Sequence, residues 1–289
     1  MRITQQVMVG NMMKHLQQNA SRLDKINQQL ATGKKFQWPS EAPIEVTRSM
    51  QLSNFITGSE KYQGNIDQAM NWLNFSETAV DNASEIIHRA RELAIYAANE
   101  VLTEDDMLVI AKEIDELKEE VINIANSKMG NRYLFSGQAT STVPFDSDGN
   151  YQGDYNSIQR EVGPGIKIAI NFDGEEVFRE ALDALENLQG DLEAGDNHTI
   201  SSTRIGEFDD ALDKNLTTRA RIGAKLSRLE LSKNRFDDEI ISLKTELSET
   251  EDVDLAEAII ELKMEESVYR AALGVGARII QPTLMDFLR

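Results

Sequence analysis

The sequence predicts a mainly α protein: a long antiparallel coiled-coil or helical bundle formed by both chain ends, with a small β-rich insert in the middle. Three observations carry this. Apolar residues recur at alternating spacings of three and four from Ile205 to Leu247 (Ile205, Phe208, Leu212, Ile222, Leu226, Leu229, Phe236, Ile240, Leu243, Leu247), interrupted only by Asn215, Arg219 and Lys233. That period marks one helix with a coiled-coil face, roughly 65 Å long at about 1.5 Å per residue. A helix of that length needs equally long partners. The second observation supplies one: Tyr62, Ile66, Ala69, Leu73, Val80, Ala83, Ile87, Ala90, Ala94, Ala97 and Val101 keep the same spacing, with only Ser76 out of pattern. Third, a period of two is confined to a single region, where Ile166, Ile168, Ile170 and Phe172 alternate with Lys167, Ala169 and Asn171.

The elements follow in chain order. Residues 2–31 read as a helix whose seam is Val9, Met12, Leu16, Leu23, Ile26 and Leu30, with Asn19 inside it. A lone seam Asn fixes coiled-coil register; the alternative is an exposed Asn on a short amphipathic helix. The remaining faces are rich in Gln and Asn, so this helix is marginal in isolation. Thr32 and Gly33 stop it, and Lys34 to Pro43 form a loop. A second helix runs from Ile44 to about Val101, with Gly58 and Gly64 as places where it could break. Thr103 caps a third, with Glu104, Asp105 and Asp106 in its first turn and Ile110, Ile114, Leu117, Val121 and Ile124 along its seam.

From Arg132 the pattern turns to short strands, with 166–172 paired to Ile158–Val162 across Gly163-Pro164-Gly165. Helix returns at Glu175–Leu188, and Gly190–Asn197 reads as a loop. The acidic run Glu249–Asp254 separates the long helix from the last, Leu255 to about Ile280. That last helix carries two apolar seams. One is Leu255, Ile259, Leu262, Tyr269, Leu273 and Ile280; the other is Ile260, Met264, Val268, Ala272, Val275 and Ile279. A helix apolar on two faces is buried on two sides. The expected division is therefore 1–43 with 250–289 as an inner terminal coiled coil, 44–131 with 176–249 as the long bundle, and 132–175 as a small insert removable without loss of the bundle.

Composition narrows the function. The net charge is −19, which disfavours nucleic acid and anionic membranes. The charge is uneven: residues 1–50 hold seven bases against three acids, and residues 250–289 hold four bases against eight acids. The two ends suit each other. Cys is absent, which excludes disulfides, thiolate metal sites and Cys nucleophiles. No apolar run approaches the length of a membrane span, so no membrane insertion is expected. The opening MRITQQVMVGNMM lacks the features of a cleaved signal peptide. His15, His88 and His198 have no neighbours arranged for metal binding or nucleophilic catalysis, and Asp146-Ser147-Asp148-Gly149-Asn150 reads as a turn because the spacing and terminal Glu of an EF-hand are missing. No catalytic residue, metal ligand or cofactor is expected.

Several motifs carry a family resemblance. Arg89-Ala-Arg-Glu-Leu-Ala-Ile-Tyr-Ala-Ala-Asn99 resembles the helix motif of bacterial flagellins, and Leu30-Ala-Thr-Gly-Lys-Lys-Phe36 with Pro39-Ser-Glu-Ala-Pro43 resembles the turn after their first helix. Glu41 departs from the more Asp-rich pattern usual there. Arg221-Ile-Gly-Ala-Lys225, Arg228-Leu-Glu230, Asp254-Leu-Ala-Glu-Ala258 and Pro282-Thr-Leu-Met-Asp-Phe-Leu-Arg289 resemble the flagellin C-terminal region. The likeness covers roughly 1–130 and 205–289. Asn131-Arg132-Tyr133-Leu134-Phe135-Ser136-Gly137, with Tyr151-Gln-Gly-Asp154 and Gly174-Glu-Glu-Val-Phe178, is similar to the flagellin relatives that join hook to filament.

The resemblance implies a structural flagellar component without catalysis, a ring-forming junction adapter that leaves the cell uncleaved through the flagellar type III channel. It implies self-association, a neighbouring hook-associated protein and flagellin as partners, a cytoplasmic export chaperone, and an extracellular place on the flagellum. Subunit packing is expected from Val9, Met12, Leu16, Leu23, Ile26 and Leu30 and from Leu273, Ile279, Ile280, Leu284, Phe287 and Leu288. The bundle seam is expected from Leu73, Ile87, Ala94, Ile222, Leu226, Leu229, Phe236, Ile240 and Leu243. Arg132, Tyr133, Leu134, Phe135 and Gly137 stand as the family motif. The competing readings are flagellin itself, a soluble acidic coiled-coil adaptor and, more remotely, an enzyme built on the insert.

Overall fold

The computed structural model describes residues 3–98 and 102–280, the side chains of 3–6 and 279–280 aside. In chain order the elements are α1 (Ile3–Thr32), α2 (Pro43–Ala97), α3 (Glu104–Ala125), β1 (Lys128–Met129), β2 (Arg132–Tyr133), β3 (Gln159–Gly163), β4 (Ile166–Ala169), α4 (Gly174–Ala194), the single turn α5 (Asn197–Thr199), a π-helical segment (Ile200–Arg204), α6 (Ile205–Glu251) and α7 (Leu255–Ile280). By contact the chain forms two compact units, residues up to Thr57 with those from Ile240 onward, and Gly58–Glu239.

In the first unit α1 packs on α7. Gly33, at φ +72°, closes α1 by donating its N–H to the Gln29 carbonyl at 2.8 Å. The chain turns on either side of α2 and α6 then pair. Lys35 N–H donates to the Glu251 carbonyl at 2.7 Å, Val253 N–H donates to the Gly33 carbonyl at 2.8 Å, and Lys34 bridges to Asp252 through the backbone. The side chains add to this joint. The Lys34 ammonium meets the Glu251 carboxylate, Lys35 Nζ donates to the Glu249 carbonyl at 2.6 Å, and Ser49 donates to Glu251 at 3.1 Å. The acidic run expected only to separate two helices is thus half of a joint whose other half is basic. Its first residues remain helical, because α6 continues to Glu251.

α2 begins at Pro43, one residue before the expected start; a proline at the first helical position loses no hydrogen bond. It runs unbroken through Gly58 and Gly64, both of which face open space. Glu41 folds the preceding loop by accepting N–H bonds from Gln37 at 2.8 Å and Trp38 at 3.3 Å, and these bonds hold its carboxyl below the usual range.

In the second unit α2 and α6 are antiparallel. The contacts step in opposite directions along the two helices: Gln63 with Asp237, Asp67 with Lys233 at 2.7 Å, Asp81 with Arg219 at 2.8 Å, and Arg91 with Asp209 at 2.6 Å. Each such exposed pair contributes little energy, but together they mark one unslipped register. Between them the seam is closed by Ile66, Leu73, Val80, Ile87 and Ala94 from α2 and by Phe208, Ile222, Leu229 and Phe236 from α6. Ser76 and Asn215, both outside the apolar pattern, are buried in it as well.

α3 starts with the expected cap: Thr103 accepts from Asp106 N–H and the Asp106 side chain accepts from Thr103 N–H, a capping box. Its buried face packs on α4. α4 runs to Ala194, past the expected loop start at Gly190, because Leu188 and Leu192 extend its buried stripe while Gly190 faces solvent; Gly195, at φ +71°, ends it.

The insert holds two antiparallel hairpins, β1 with β2 and β3 with β4. The first is too short to show as a period of two. The second pairs Gln159 with Ala169 and Glu161 with Lys167, as expected, with an irregularity before the Gly163 turn. Its second strand is shorter than 166–172: Asn171 turns inward, donating to the Asn156 carbonyl at 3.0 Å and accepting from Ile158 N–H at 2.7 Å. The insert is not peripheral. Leu134, Phe135, Phe145, Val162, Ile168, Ile170 and Phe172 belong to one continuous core with α2, α3, α4 and α6.

Candidate assembly surface

The terminal unit exposes a row of large apolar side chains on α7. On α1 the seam faces α7: Ile26 is buried, and Val9, Met12, Leu16, Leu23 and Leu30 are half-buried. Asn19 is buried with them. The α7 face opposite consists of Ala258, Leu262, Glu265, Tyr269, Ala272 and Gly276, again at alternating spacings of four and three. Neither apolar seam expected for α7 is therefore the one that meets α1. Ala258, Ala272 and Gly276 alternate there with Leu262, Glu265 and Tyr269, and at Gly276 the missing side chain lets Met12 and Leu16 of α1 approach. At Gly276 a Cβ would stand 2.9 Å from Met12 Cε, so the Met12 side chain fills the place a larger residue would take.

The consequence is an outward apolar stripe. Ile260 is 63 % exposed, Met264 61 % and Val275 52 %, and Ile259, Val268 and Leu273 are exposed beside them. Ile259, Ile260, Met264 and Val268 line a shallow open hollow with Lys263 and Ser267. A row of large apolar side chains in water on a single helix marks a surface that another chain covers. Of the expected packing residues at this end, Leu273 lies on that stripe, while the side chains of Ile279 and Ile280 and all of Leu284, Phe287 and Leu288 lie outside the described residues.

The bundle-seam residues lie where helices meet. Leu73, Ile87, Ala94, Ile222, Leu229, Phe236 and Ile240 are buried, and Leu226 and Leu243 half-buried. The 132–137 motif is a folding device of the second unit. Arg132 is exposed on β2, and Tyr133 lies beneath the Lys128 ammonium, 4.3 Å from its ring centre. Leu134 and Phe135 enter the core, where Phe135 meets Phe178 edge-on at 4.9 Å. Gly137, at φ +67°, leaves room for Asp154, whose carboxylate accepts from Gln138 N–H at 2.7 Å and Asn156 N–H at 2.9 Å; these bonds lower its pKa. Tyr151 ties the same turn together by donating to the Phe135 and Asp154 carbonyls, both at 3.0 Å. Asp146 is occupied by its own turn, accepting from Asp148 N–H at 3.0 Å and Asn150 N–H at 2.7 Å.

Among the described residues no group of three or more His, Asp or Glu is placed to hold a metal ion, and no helix is long and apolar enough to cross a membrane. Sequence reading missed the polar contact between α1 and α7, Arg22 with Glu265 at 3.3 Å. Its signal was present: Glu265 keeps three–four spacing with Leu262 and Tyr269.

Comparison with known proteins agrees with this architecture. Residues 3–140 match the bacterial flagellin N-terminal helical region, and residues 205–288 match the bacterial flagellin C-terminal helical region. The flagellar hook-associated protein 3 of Escherichia coli is 26 % identical over 94 % of this chain and 95 % of its own length. A flagellin of Halalkalibacterium halodurans is 23 % identical over 91 % of this chain and 90 % of its own. The crystal structure of the flagellar junction protein FlgL from Legionella pneumophila superposes with a TM-score of 0.60 at 16 % identity, covering 70 % of this chain and 99 % of that one. The chain belongs to the flagellin family, whose members share these helical ends and include the hook-associated proteins of the flagellum.

Proposed function

We propose that this chain is a structural subunit of the bacterial flagellum at the junction of hook and filament. The observation that carries the reading is the outward apolar stripe of α7, Ile260, Met264, Val268 and Val275, on a helix whose opposite face is already occupied by α1. Its counterpart is a neighbouring subunit, so the chain works as one of a ring. The ring meets a second hook-associated protein on one side and flagellin on the other, and transmits torque through helix-on-helix contacts. The chain acts by packing and takes no part in catalysis. It reaches the cell exterior uncleaved through the flagellar type III channel, and before export a cytoplasmic chaperone covers its C-terminal helix. The likeness in sequence to hook-associated protein 3, 26 % identical against 23 % for a flagellin of similar coverage, supports the junction over the filament itself.

The test is Met264→Asp together with Val268→Asp, introduced into the cells that make the chain. Burying a carboxylate in an apolar contact costs several kcal/mol, roughly 2–7 for even an uncharged polar group, and the cost recurs at every subunit. We expect the variant to be secreted, the cells to lack filaments, and the melting of the second unit to be unchanged. Immunogold labelling of the wild-type chain should mark one band between hook and filament. Labelling along the whole filament would make the chain a flagellin, and normal filaments carrying the variant would remove the stripe from the assembly surface.

A further inference from the structure

We infer that the register of the two chain-end helices is set by polar contacts added to their apolar seam, and that Arg22 and Glu265, with Asn19 holding Arg22, form the principal pin. The α1 seam is a strict heptad: Val9, Leu16, Leu23 and Leu30 alternate with Met12, Asn19 and Ile26. The α7 face opposite, Ala258, Leu262, Glu265, Tyr269, Ala272 and Gly276, repeats in the same way. A slip of one heptad, about 10.5 Å along the axis, keeps the α1 seam against the same α7 face; at Met12, which one slip moves from Gly276 to Tyr269, side-chain size discriminates, and elsewhere apolar packing does so weakly.

The polar groups discriminate. Arg22 Nε meets Glu265 Oε1 at 3.3 Å, and the other end of the guanidinium donates to Asn19 Oδ1. Asn19 is 7 % exposed and the Glu265 side chain 19 % exposed; the second Glu265 oxygen is buried without a hydrogen-bond partner among the described residues. Arg22 is thus the cation that makes Glu265 tolerable in the seam. A heptad slip replaces it with His15 or Gln29, and a half-buried carboxylate is disfavoured there without its cation.

Two further points lie on the same antiparallel line. Met12 fills the space above Gly276, eleven residues beyond Glu265, and the joint ties Gly33 and Lys35 to Val253 and Glu251 at the other end. The joint is made by exposed chain turns and holds one end; the Arg22–Glu265 contact holds the middle. Register matters because it decides which part of α1's outer face stands beside the α7 stripe, and a neighbour reads both together.

Because the chain has no Cys, every disulfide formed in it is an engineered one. Three double-cysteine forms of the full chain report register: Met12→Cys with Gly276→Cys the native one, and Met12→Cys with Tyr269→Cys or Ile26→Cys with Tyr269→Cys the two slips. The native pair should cross-link under mild oxidation and the slip pairs should not. Adding Glu265→Leu with Lys34→Glu and Lys35→Glu, which removes the pin and opposes the joint, should lower the native cross-link at least five-fold and raise one slip cross-link to match. Helix content by circular dichroism should be unchanged. The native cross-link surviving alone in that background would show the apolar seam to be sufficient. Loss of all three cross-links would show that the polar groups hold the helices together without choosing a register. Failure of the native pair to form in the unmodified background would also overturn the inference. None of these outcomes depends on where in the flagellum the chain resides.

Discussion

At the scale of single residues, the positions that decide this structure are those where the backbone leaves no alternative. Gly137 is one. Its φ of +67° lies where a Cβ is strained, and a Cβ built there would stand 2.0 Å from the Asp154 carbonyl oxygen. Gly174 is another, with the Phe135 carbonyl oxygen 2.7 Å from where its Cβ would be. Neither contact can be relieved by rotating a side chain, because both opposing atoms are backbone. The left-handed conformation costs an L-residue about 1–2 kcal/mol, and forcing a methyl into filled space costs about 1–3 more. We therefore expect Gly137→Ala to destabilise the second unit by roughly 3 kcal/mol, read as a fall in the denaturant midpoint with helix content kept below the transition. A change under about 0.5 kcal/mol, the level of an ordinary surface substitution, would mean that the Asp154 turn gives way freely.

At the scale of elements, the long helices were legible because their signal repeats. The seams of α2 and α6 each run for many turns, and one polar residue such as Ser76 or Asn215 cannot mask such a period. What escaped was set by tertiary context. α7 offers three faces with helical spacing, and which one meets α1 is decided by the fit of small residues around Met12, which counting large apolar residues cannot find. The hairpin β1–β2 has two residues per strand, fewer than any alternation needs to show itself. Nor does spacing reveal how β3–β4 is held on the bundle. Asn65 of α2 donates to the Glu161 carbonyl at 2.8 Å, and Lys225 of α6 donates to the Ala169 carbonyl at 2.7 Å with its ammonium 4.3 Å from the Phe172 ring centre. Burial, with Arg221 nearby, lowers the Lys225 pKa below 10.5. Its protonated form is thus disfavoured in the folded state, so its contribution to stability rises as pH climbs from the folded value towards the unfolded one. Lys225→Met should loosen the hairpin, seen as faster amide exchange at Ile168 and Ile170 with the helices unchanged. The cost of the substitution should grow with pH in the alkaline window just below 10.5. A cost that is flat across that window would mean that Lys225 sits in water.

At the scale of the whole molecule, the region between the two halves of the helical bundle looks in sequence like a detachable ornament, and the structure makes it a wall of the core. A period of two embedded between long helical seams suggests separation, because periodicity reports local geometry and says nothing of what the buried face of a strand touches. Here Phe135 and Phe145 meet Phe178 of α4 edge-on, and Leu134, Val162, Ile168, Ile170 and Phe172 belong to the same continuous core. Phe145 is anchored to the end of α3 by Asn126, which accepts from its N–H at 2.9 Å and donates to its carbonyl at 3.0 Å. Burying each large apolar side chain contributes roughly 1.5–3 kcal/mol, so losing seven of them removes on the order of 10 kcal/mol before any repacking. A domain's whole stability is about 5–15 kcal/mol. Deleting 132–173 and bridging the gap with a short glycine–serine linker should therefore leave the core shared by the helices of the second unit partly uncovered. The melting temperature of the second unit should fall by well over 10 °C, and the unit should bind a hydrophobic dye in its native baseline. Differential scanning calorimetry of the deletion variant decides the matter. An unchanged melting temperature with full helix content would return the insert to the status of an independent appendage.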